Sequence, residues 1–182
     1  MKKLPQRKPN RLAGFDYSHS GAYFVTICTK NRANLFSEIV IVGATVPGRP
    51  HNNCRQPDDC RPCIPIVKLT ELGKIIETAI SQNNRNGVKI DQYVIMPNHI
   101  HMIVVIGSEM GKRGETDDRG RSPLQMIIRN MKAYITKQIG FPFWQKSFHD
   151  HIIRNENEYC RIANYIRNNP SNWKGDCFYV GK

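Results

Sequence analysis

Apolar and polar positions alternate most regularly near the start and in the middle of the chain. β-Branched and aromatic residues from Tyr23 to Cys28 indicate a strand, and a second short strand is expected from Glu38 to Val42. Two more strands, Val88 to Ile95 and His99 to Ile106, flank the sequence Met96-Pro97-Asn98, whose proline and asparagine favour a tight connection. These two strands are therefore predicted to pair as a hairpin.

Helical spacing of apolar residues begins after the second strand. It predicts an amphipathic helix from Thr70 to Asn84, which Asn86-Gly87 stops. A second helix starts at Ser122, which can cap it. Pro123 fits the first helical position and Gln125 completes a capping box.

A third helix is predicted to begin at Asn155, with Glu158 as the partner in its capping box. It runs to about Asn168 and is ended by Pro170. The order strand, strand, helix, hairpin, helix, helix favours an α+β fold, in which an antiparallel sheet has its helices packed on one face.

The length of 182 residues suits one domain with a hydrophobic core. Residues 1–182 are therefore taken as a single domain with two irregular parts. Gly43 to Pro65 is rich in glycine, proline, asparagine and aspartate and is predicted to be a loop insertion. Gly107 to Arg121 is rich in glycine and charge and is predicted to be a flexible linker.

Composition adds a preference for nucleic acid. The chain has 27 Lys and Arg against 15 Asp and Glu, a formal net charge of +12, which is typical of nucleic-acid-binding proteins. There is no long apolar run and no apolar stretch after the basic start, so we expect no membrane partner, no secretory signal and a cytoplasmic location. Six cysteines in such a chain indicate reduced thiols or metal ligation.

His99 and His101 lie two residues apart on a predicted strand, so both imidazoles face the same side. Two histidines in this arrangement form half of a metal site, and the alternative is a pair of ordinary, partly buried histidines. The opposite side of the strand is fully apolar and should meet the core. It carries Ile100, Met102, Val104 and Ile106.

On the third helix, Tyr165 and Asn169 lie roughly 40° apart on one flank of the apolar stripe. A phenol and a carboxamide therefore face the same place. The alternative is a boundary tyrosine with a wet hydroxyl, and an asparagine that caps the end of the helix.

Three ordered blocks together resemble the REP-associated tyrosine transposases, which are single-tyrosine HUH nucleases (U is a hydrophobic residue). The blocks are Met96 to His101, Phe143 to Asn155 and Asn164 to Pro170, and the opening from Asn10 to Phe36 is also similar. The resemblance implies a ferredoxin-like, RRM-like sheet with the histidines on a central strand and the tyrosine on a helix.

The resemblance also implies site residues and chemistry. His99 and His101 match the metal-binding histidines, Asn169 the polar residue that completes the metal site, and Tyr165 the catalytic tyrosine. The implied cofactor is a divalent metal, Mg²⁺ or Mn²⁺. The implied reaction is cleavage and strand transfer of single-stranded, hairpin-bearing DNA through a covalent 5′-phosphotyrosine.

Contacts to DNA are expected from basic and aromatic side chains near the site. The alternative is that they form solvated helix faces and core aromatics. The candidates are Lys146, Arg154, Arg161, Arg167, Arg129, Lys132, Trp144 and Phe148.

Other readings stay open at this point. The chain could be a nuclease-inactive protein of the same fold that binds DNA or RNA. It could instead be a small zinc protein built on the loop that contains His51, Cys54, Cys60 and Cys63. A monomer is expected by resemblance, with a dimer that exchanges tyrosines in trans as the alternative.

Overall fold

A computed structural model describes residues 20–42, 64–84, 87–108 and 122–180 of the chain. Within these ranges six strands and three α-helices are followed by a short 3₁₀ segment. In chain order they are β1 (Gly21–Cys28), β2 (Ser37–Val42), β3 (Ile64–Leu69), α1 (Glu71–Gln82), β4 (Val88–Ile95), β5 (His99–Ile106), α2 (Pro123–Ile139), β6 (His149–Ile153), α3 (Glu156–Asn168) and the 3₁₀ segment Asn169–Gly175.

The main sheet has four strands in the order β4-β5-β1-β6, and every neighbouring pair is antiparallel. With α1 before β4 and α2 before β6, this is the split βαβ arrangement of ferredoxin-like folds. β2 and β3 pair separately as a two-stranded ribbon. The predicted α+β class and the β4–β5 hairpin are confirmed.

One face of the sheet is covered by α1 and α2. The apolar side of β5 packs there with Ile76 and Ile80 of α1 and with Leu124 and Ile128 of α2. All four of the predicted apolar positions on β5 are essentially inaccessible to solvent. They are Ile100, Met102, Val104 and Ile106.

The opposite face is covered by α3, and this corrects the prediction that all helices pack on one face. Ile162, Ala163 and Ile166 of α3 form a second, smaller core with Ile103 of β5 and Ile153 of β6. The predicted stripe on this helix is therefore right, but it packs on the face of β5 that carries the histidines.

Helix starts follow the predicted local chemistry. Thr70 caps α1 by accepting a hydrogen bond from the Gly73 N–H. The capping box at the start of α2 is complete, since Ser122 accepts from the Gln125 N–H and Gln125 accepts from the Ser122 N–H. Gly73 has no room for a side chain, because an added Cβ would lie 2.2 Å from the Phe36 carbonyl oxygen.

The start and the end of α3 differ from the prediction in detail. Asn155 caps the helix by accepting from the Glu158 N–H, but the Glu158 carboxylate accepts from the Arg154 N–H instead of returning to Asn155. Pro170 ends the α-helix but not the helical path. The chain continues as the 3₁₀ segment, where a proline near the start is tolerated because its missing N–H is not needed.

Two strands, β3 and β6, were not predicted. β3 begins at Ile64, inside the segment predicted as a loop, while residues 43–63 of that insertion lie outside the described residues. Residues 109–121 of the predicted linker also lie outside them.

The first helix is slightly shorter than predicted. α1 ends at Gln82 with Asn83 as its C-cap, and Asn86 of the predicted helix stop lies outside the described residues.

Within the described ranges, none of the helices has the length and apolar composition needed to cross a bilayer.

Candidate active site

His99 and His101 project from β5 on the side of α3 and are almost completely buried, with 0% and 2% of their surface exposed. β5 lies inside the sheet, between β4 and β1, so its backbone is held on both sides. Across β1, His99 faces Cys28 and His101 faces Thr26. The ring centroids of the two histidines are 4.4 Å apart. The strand therefore presents two imidazoles as one rigid unit.

Asn98 fixes the protonation pattern of His99. Its Nδ2 group donates to the backbone carbonyls of Arg32, at 3.2 Å, and Phe178, at 2.8 Å. This leaves Asn98 Oδ1 facing His99 Nδ1 at 2.9 Å. Because a carboxamide oxygen only accepts, Nδ1 carries the proton, and Nε2 of a neutral ring keeps its lone pair. That Nε2 atom is buried without a hydrogen-bond partner among the described residues.

Thr26 and Tyr165 contact the two nitrogens of His101. The Thr26 hydroxyl lies 2.8 Å from His101 Nδ1, and the Tyr165 hydroxyl lies 3.3 Å from His101 Nε2. Because a hydroxyl can donate or accept, the Thr26 contact orients the ring without fixing its tautomer; in the tautomer with the proton on Nδ1, Nε2 accepts from the phenol. Each histidine is thus oriented through one nitrogen and offers the other to the site, the arrangement usual for metal-binding imidazoles.

Burial keeps both rings uncharged. Burial, together with the positive charge of Arg32, lowers the pKa of His99 to about 3. For His101, burial and the neighbouring His99 lower the pKa and the negative charge of Asp176 raises it, with a resulting value of about 3. Both imidazoles are therefore neutral near pH 7, as metal ligation requires.

Tyr165 lies at the solvent edge of the site, on α3. Its side chain is 44% exposed, and its ring packs edge-on against Phe24 of β1 and His101. Burial of the phenol raises the pKa of Tyr165, and the charge of Asp176 raises it further. The hydroxyl is therefore protonated at neutral pH, and a nearby cation would be needed to make it a better nucleophile.

The position of α3 on the sheet is fixed by a polar contact as well as by its apolar stripe. The Tyr159 hydroxyl donates a short hydrogen bond to Asp91, which lies at the bulge in β4 and also pairs with Lys89. This contact ties the first half of the helix to an edge strand, so that Tyr165 points to the histidines.

Asn169 follows Tyr165 by one helical turn and is 2% exposed. Its Nδ2 group donates to the Asp176 carboxylate at 3.0 Å, while its Oδ1 atom is buried without a partner among the described residues. The buried acceptors His99 Nε2 and Asn169 Oδ1 each lack a hydrogen-bond partner, and a bound cation is one group that can satisfy such an atom. Asn169 is connected to the two histidines through Asp176, whose carboxylate it contacts and which offers an oxygen within 4.8 Å of a ring nitrogen of each histidine.

Asp176 is a functional candidate that the sequence analysis missed. His99 and His101 each offer a ring nitrogen and Asp176 offers a carboxylate oxygen, and these three atoms lie within 4.8 Å of one another. Asp176 comes directly after the 3₁₀ segment, where no periodic pattern marks it. The available signal was a carboxylate seven residues after Asn169.

The chain after Asp176 covers the histidines. The Phe178 ring lies 4.5 Å from the His99 ring, centroid to centroid, and the Arg32 guanidinium lies 5.4 Å from the centre of the Phe178 ring. Arg32 also donates to the Cys177 carbonyl at 2.7 Å. Asn31 and Arg32 both have left-handed backbone angles, with φ of 58° and 54°, a conformation that costs energy outside glycine. This strained turn holds the Arg32 side chain against the covering segment.

The predicted DNA contacts divide into two groups. Lys146, Arg154, Arg161, Arg167 and Arg129 are exposed, although Arg129 belongs to α2, on the far side of the sheet from the histidines. The other three are engaged in the fold: Lys132 donates to the Gln145 carbonyl at 2.6 Å, Trp144 packs on Phe36 and Phe143, and Phe148 packs against the main core.

The proposed zinc ligands His51, Cys54, Cys60 and Cys63 lie outside the described residues. Among the cysteines that the structure describes, Cys28, Cys160 and Cys177 are free thiols. This agrees with the expectation of reduced cysteines for that part of the chain.

An uncharacterized protein of Haemophilus influenzae strain Rd is 31% identical to this chain over 194 residues, which cover 97% of the chain and 95% of the Haemophilus protein. The chain belongs to the family of that protein. No protein-family model matches.

The structure of a REP-associated tyrosine transposase bound to a REP hairpin has a TM-score of 0.54 to this chain and is 19% identical. The alignment covers 94% of this chain and 73% of the transposase. At this identity the likeness shows a shared fold. The ferredoxin-like fold that the sequence resemblance implied is therefore confirmed for this chain.

Proposed function

We propose that this protein cuts and rejoins single-stranded, hairpin-bearing DNA in a metal-dependent reaction that uses Tyr165 as the nucleophile. One observation carries the proposal: the Tyr165 hydroxyl lies 3.3 Å from His101 Nε2 within a single chain. The proposed nucleophile and an imidazole of the proposed metal site are thus in contact within one chain. This arrangement favours a reaction in cis by a monomer.

The reaction follows from the chemistry of the phenol. Tyr165 Oη attacks the scissile phosphorus, the bond to the 3′ oxygen breaks, and the phenolic proton is balanced by the proton that the leaving 3′ hydroxyl gains. The product is a 5′-phosphotyrosine. Because the new bond is also a phosphodiester, a 3′ hydroxyl can reverse the step and join strands without ATP.

His99, His101 and Asn169 would hold the ion; the carboxamide oxygen suits Mg²⁺ or Mn²⁺, and the two imidazoles suit Mn²⁺ better than Mg²⁺. When bound, a divalent cation supplies Lewis-acid polarisation of the scissile phosphate and stabilises the charge that develops on it. The chain's own residues do the rest. Asn98 holds His99 in the tautomer that leaves Nε2 free, Thr26 orients the His101 ring, and the contact of Tyr159 with Asp91 holds the helix that presents Tyr165.

The charge of the chain supports a polyanionic substrate. Four exposed basic residues lie on α3 or in the chain segments on either side of the edge strand β6, where they can neutralise phosphates. They are Lys146, Arg154, Arg161 and Arg167. The REP hairpin seen with the transposase of the same fold makes a stem with single-stranded flanks the first substrate to test.

The test is the formation of a covalent adduct. The full chain is incubated with Mn²⁺ or Mg²⁺ and a pool of 3′-labelled hairpin oligonucleotides with randomised single-stranded flanks. We expect the label to migrate with the protein on a denaturing gel. We expect Tyr165→Phe to reduce the adduct by at least about 10⁴-fold, the scale of loss when a covalent nucleophile is removed.

Tyr134→Phe is the matched control, because Tyr134 is also a helical tyrosine and is 38% exposed. It should form the adduct at the normal rate. A persistent adduct in Tyr165→Phe would show that another residue attacks. DNA binding without any adduct in the unaltered protein would instead favour a nuclease-inactive binding protein.

A further inference from the structure

We propose that Asp176 is a protein ligand of the metal, alongside His99 and His101, and that the ion thereby fastens the C-terminal segment Asp176–Tyr179 to the sheet. The inference rests on the metal site of the proposed function and extends it to a residue that follows the tyrosine helix. Asn169 donates a hydrogen bond to the Asp176 carboxylate and so orients it toward the histidines.

The geometry carries the first step. One carboxylate oxygen of Asp176 and one nitrogen from each histidine lie within 4.8 Å of one another. Ligand atoms about 2.0–2.2 Å from a common ion are separated by no more than about 4.4 Å, so small shifts bring all three into coordination. Among the histidine, cysteine and acidic side chains that the structure describes, no other group brings three donor atoms this close together.

Hydrogen bonds hold the carboxylate in place before any ion arrives. Asp176 Oδ2 accepts from Asn169 Nδ2 at 3.0 Å, and Oδ1 accepts from the Phe178 N–H at 2.7 Å. A carboxylate has about four lone-pair sites, so each oxygen keeps capacity for a cation. These contacts correspond to the outer shell that orients ligating carboxylates in established metal sites.

Charge gives the second, independent argument. The imidazoles and the Asn169 carboxamide are neutral, and the Arg32 cation lies close enough to lower the pKa of His99. A divalent ion held by neutral ligands alone beside a guanidinium would be poorly compensated. Asp176 supplies the missing negative charge, and the unpartnered buried acceptor Nε2 belongs to His99, one of the two histidines whose donor atoms lie close to the Asp176 carboxylate.

Coordination by Asp176 would also affect how the C-terminal segment docks on the sheet. Asp176 is followed by Cys177 and Phe178, whose carbonyls accept from Arg32 and Asn98. Since Asn98 also fixes the tautomer of His99, the segment that provides a ligand also helps to prepare another ligand. Metal binding and the docking of this segment should therefore strengthen each other.

The experiment measures Mn²⁺ binding by titration calorimetry with the full chain and no DNA. We expect Asp176→Asn to weaken Mn²⁺ binding by at least about 10- to 100-fold. Removal of a residue that only orients a metal ligand already has an effect of this size, so loss of a direct ligand should cost at least as much. Glu156→Gln removes the same charge from an exposed position on α3 and should bind Mn²⁺ normally.

The two proposals fail in different ways. Unaltered affinity in Asp176→Asn, together with lost affinity in His99→Ala and His101→Ala, would overturn the role of Asp176 and leave the proposed function intact. Unaltered affinity in the two histidine variants would overturn the metal site itself.

If Asp176→Asn does not fold, the unaltered protein still decides the question. A crystal soaked in Mn²⁺ should give an anomalous peak within about 2.6 Å of the Asp176 carboxylate, the outer range of carboxylate–metal distances. A peak at the histidines that lies beyond this distance from Asp176 would overturn the inference.

Discussion

The two faces of β5 show how one strand can serve two purposes. On the side of α1 and α2, four consecutive inward positions are aliphatic or methionine and belong to the main core. On the side of α3, the first two inward positions are His99 and His101 and the next two are Ile103 and Val105. The two faces are almost equally buried along the strand, yet only one of them carries polar atoms.

The difference lies in what satisfies each face. The face of β5 toward α1 and α2 requires only close packing, because its side chains have no hydrogen-bonding groups to satisfy. The histidine face needs a specific partner for each nitrogen, and Asn98 and Thr26 provide two of them. Stability should therefore depend mainly on the first face and chemistry on the second. Substitutions at adjacent positions of β5 can separate these contributions.

His101→Ala should have the largest effect. Loss of the imidazole removes a nitrogen of the proposed metal site and the partner of the Tyr165 hydroxyl. We expect Mn²⁺-dependent adduct formation to decrease by about 10³-fold, equivalent to the several kcal/mol that a metal contributes to charge stabilisation. Because the imidazole is buried and bonded to Thr26, the free energy of unfolding should also decrease, by about 1–3 kcal/mol, but without the complete loss that adduct formation shows. A normal rate of adduct formation would refute the separation of the two faces.

Met102→Ala, one residue further along β5, should do the opposite. Met102 is completely buried between the sheet and α1–α2, so truncation leaves a cavity. We expect the free energy of unfolding to decrease by about 2–5 kcal/mol in urea denaturation, with Mn²⁺ affinity of the folded protein unchanged. Val105→Ala, a partly buried aliphatic position on the histidine face, is the control and should cost less. Equal losses at both positions would contradict the comparison.

Acid should weaken the histidine face selectively. The pKa values of His99 and His101 are lowered to about 3 in the folded protein from 6.5. Below pH 6.5 the unfolded chain takes up protons that the folded chain does not. Metal-free stability should therefore decrease as the pH falls from 6.5 toward 3, with a slope of about 1.4 kcal/mol per pH unit for each histidine.

Urea denaturation in the presence of a chelator measures this slope. His101→Gln removes one of the two groups and should reduce the slope by about half above about pH 5, before Asp91 and Glu158, whose pKa values are also lowered in the folded protein, affect the slope. A slope that is the same in both proteins would mean that His101 does not titrate with unfolding.

Tyr159→Phe should have the smallest effect. It removes the hydroxyl that ties α3 to Asp91, while the carboxylate keeps Lys89 as a partner. We expect a loss of about 1 kcal/mol in unfolding free energy, the usual net value of such a hydrogen bond. Adduct formation should slow because Tyr165 is held less firmly, whereas DNA binding in a filter assay should not change. Full stability with a normal rate would mean that the apolar stripe alone positions α3.

The sequence predicted those features that rest on local chemistry. The alternation from His99 to Ile106 identified both faces of β5, the signal at Ser122 identified the start of α2, and the helical spacing placed Tyr165 and Asn169 on one flank. In each case the residues that determine the structure are neighbours along the chain, so their spacing contains the information.

Features set by distant contacts were missed. β6 has only five residues and lies at the edge of the sheet, so it shows little hydrophobic pattern. β3 contains Pro65, which argues against a strand but is compatible with a two-stranded ribbon. The packing of α3 on the second face and the approach of Asp176 to the histidines depend on tertiary structure, for which the local sequence gives no sign.

The hydrogen bonds at the site join residues that are far apart in the sequence, and this affects the order in which the site forms during folding. The β4–β5 hairpin that carries the histidines is local, but Thr26 and His101 are 75 positions apart, His101 and Tyr165 are 64 apart, and Asn98 and Phe178 are 80 apart. Contacts of such separation form late, because long loops must close first. A partly synthesised or partly folded chain therefore holds its imidazoles without its phenol. Under the proposed function, DNA cleavage therefore requires the completely folded chain.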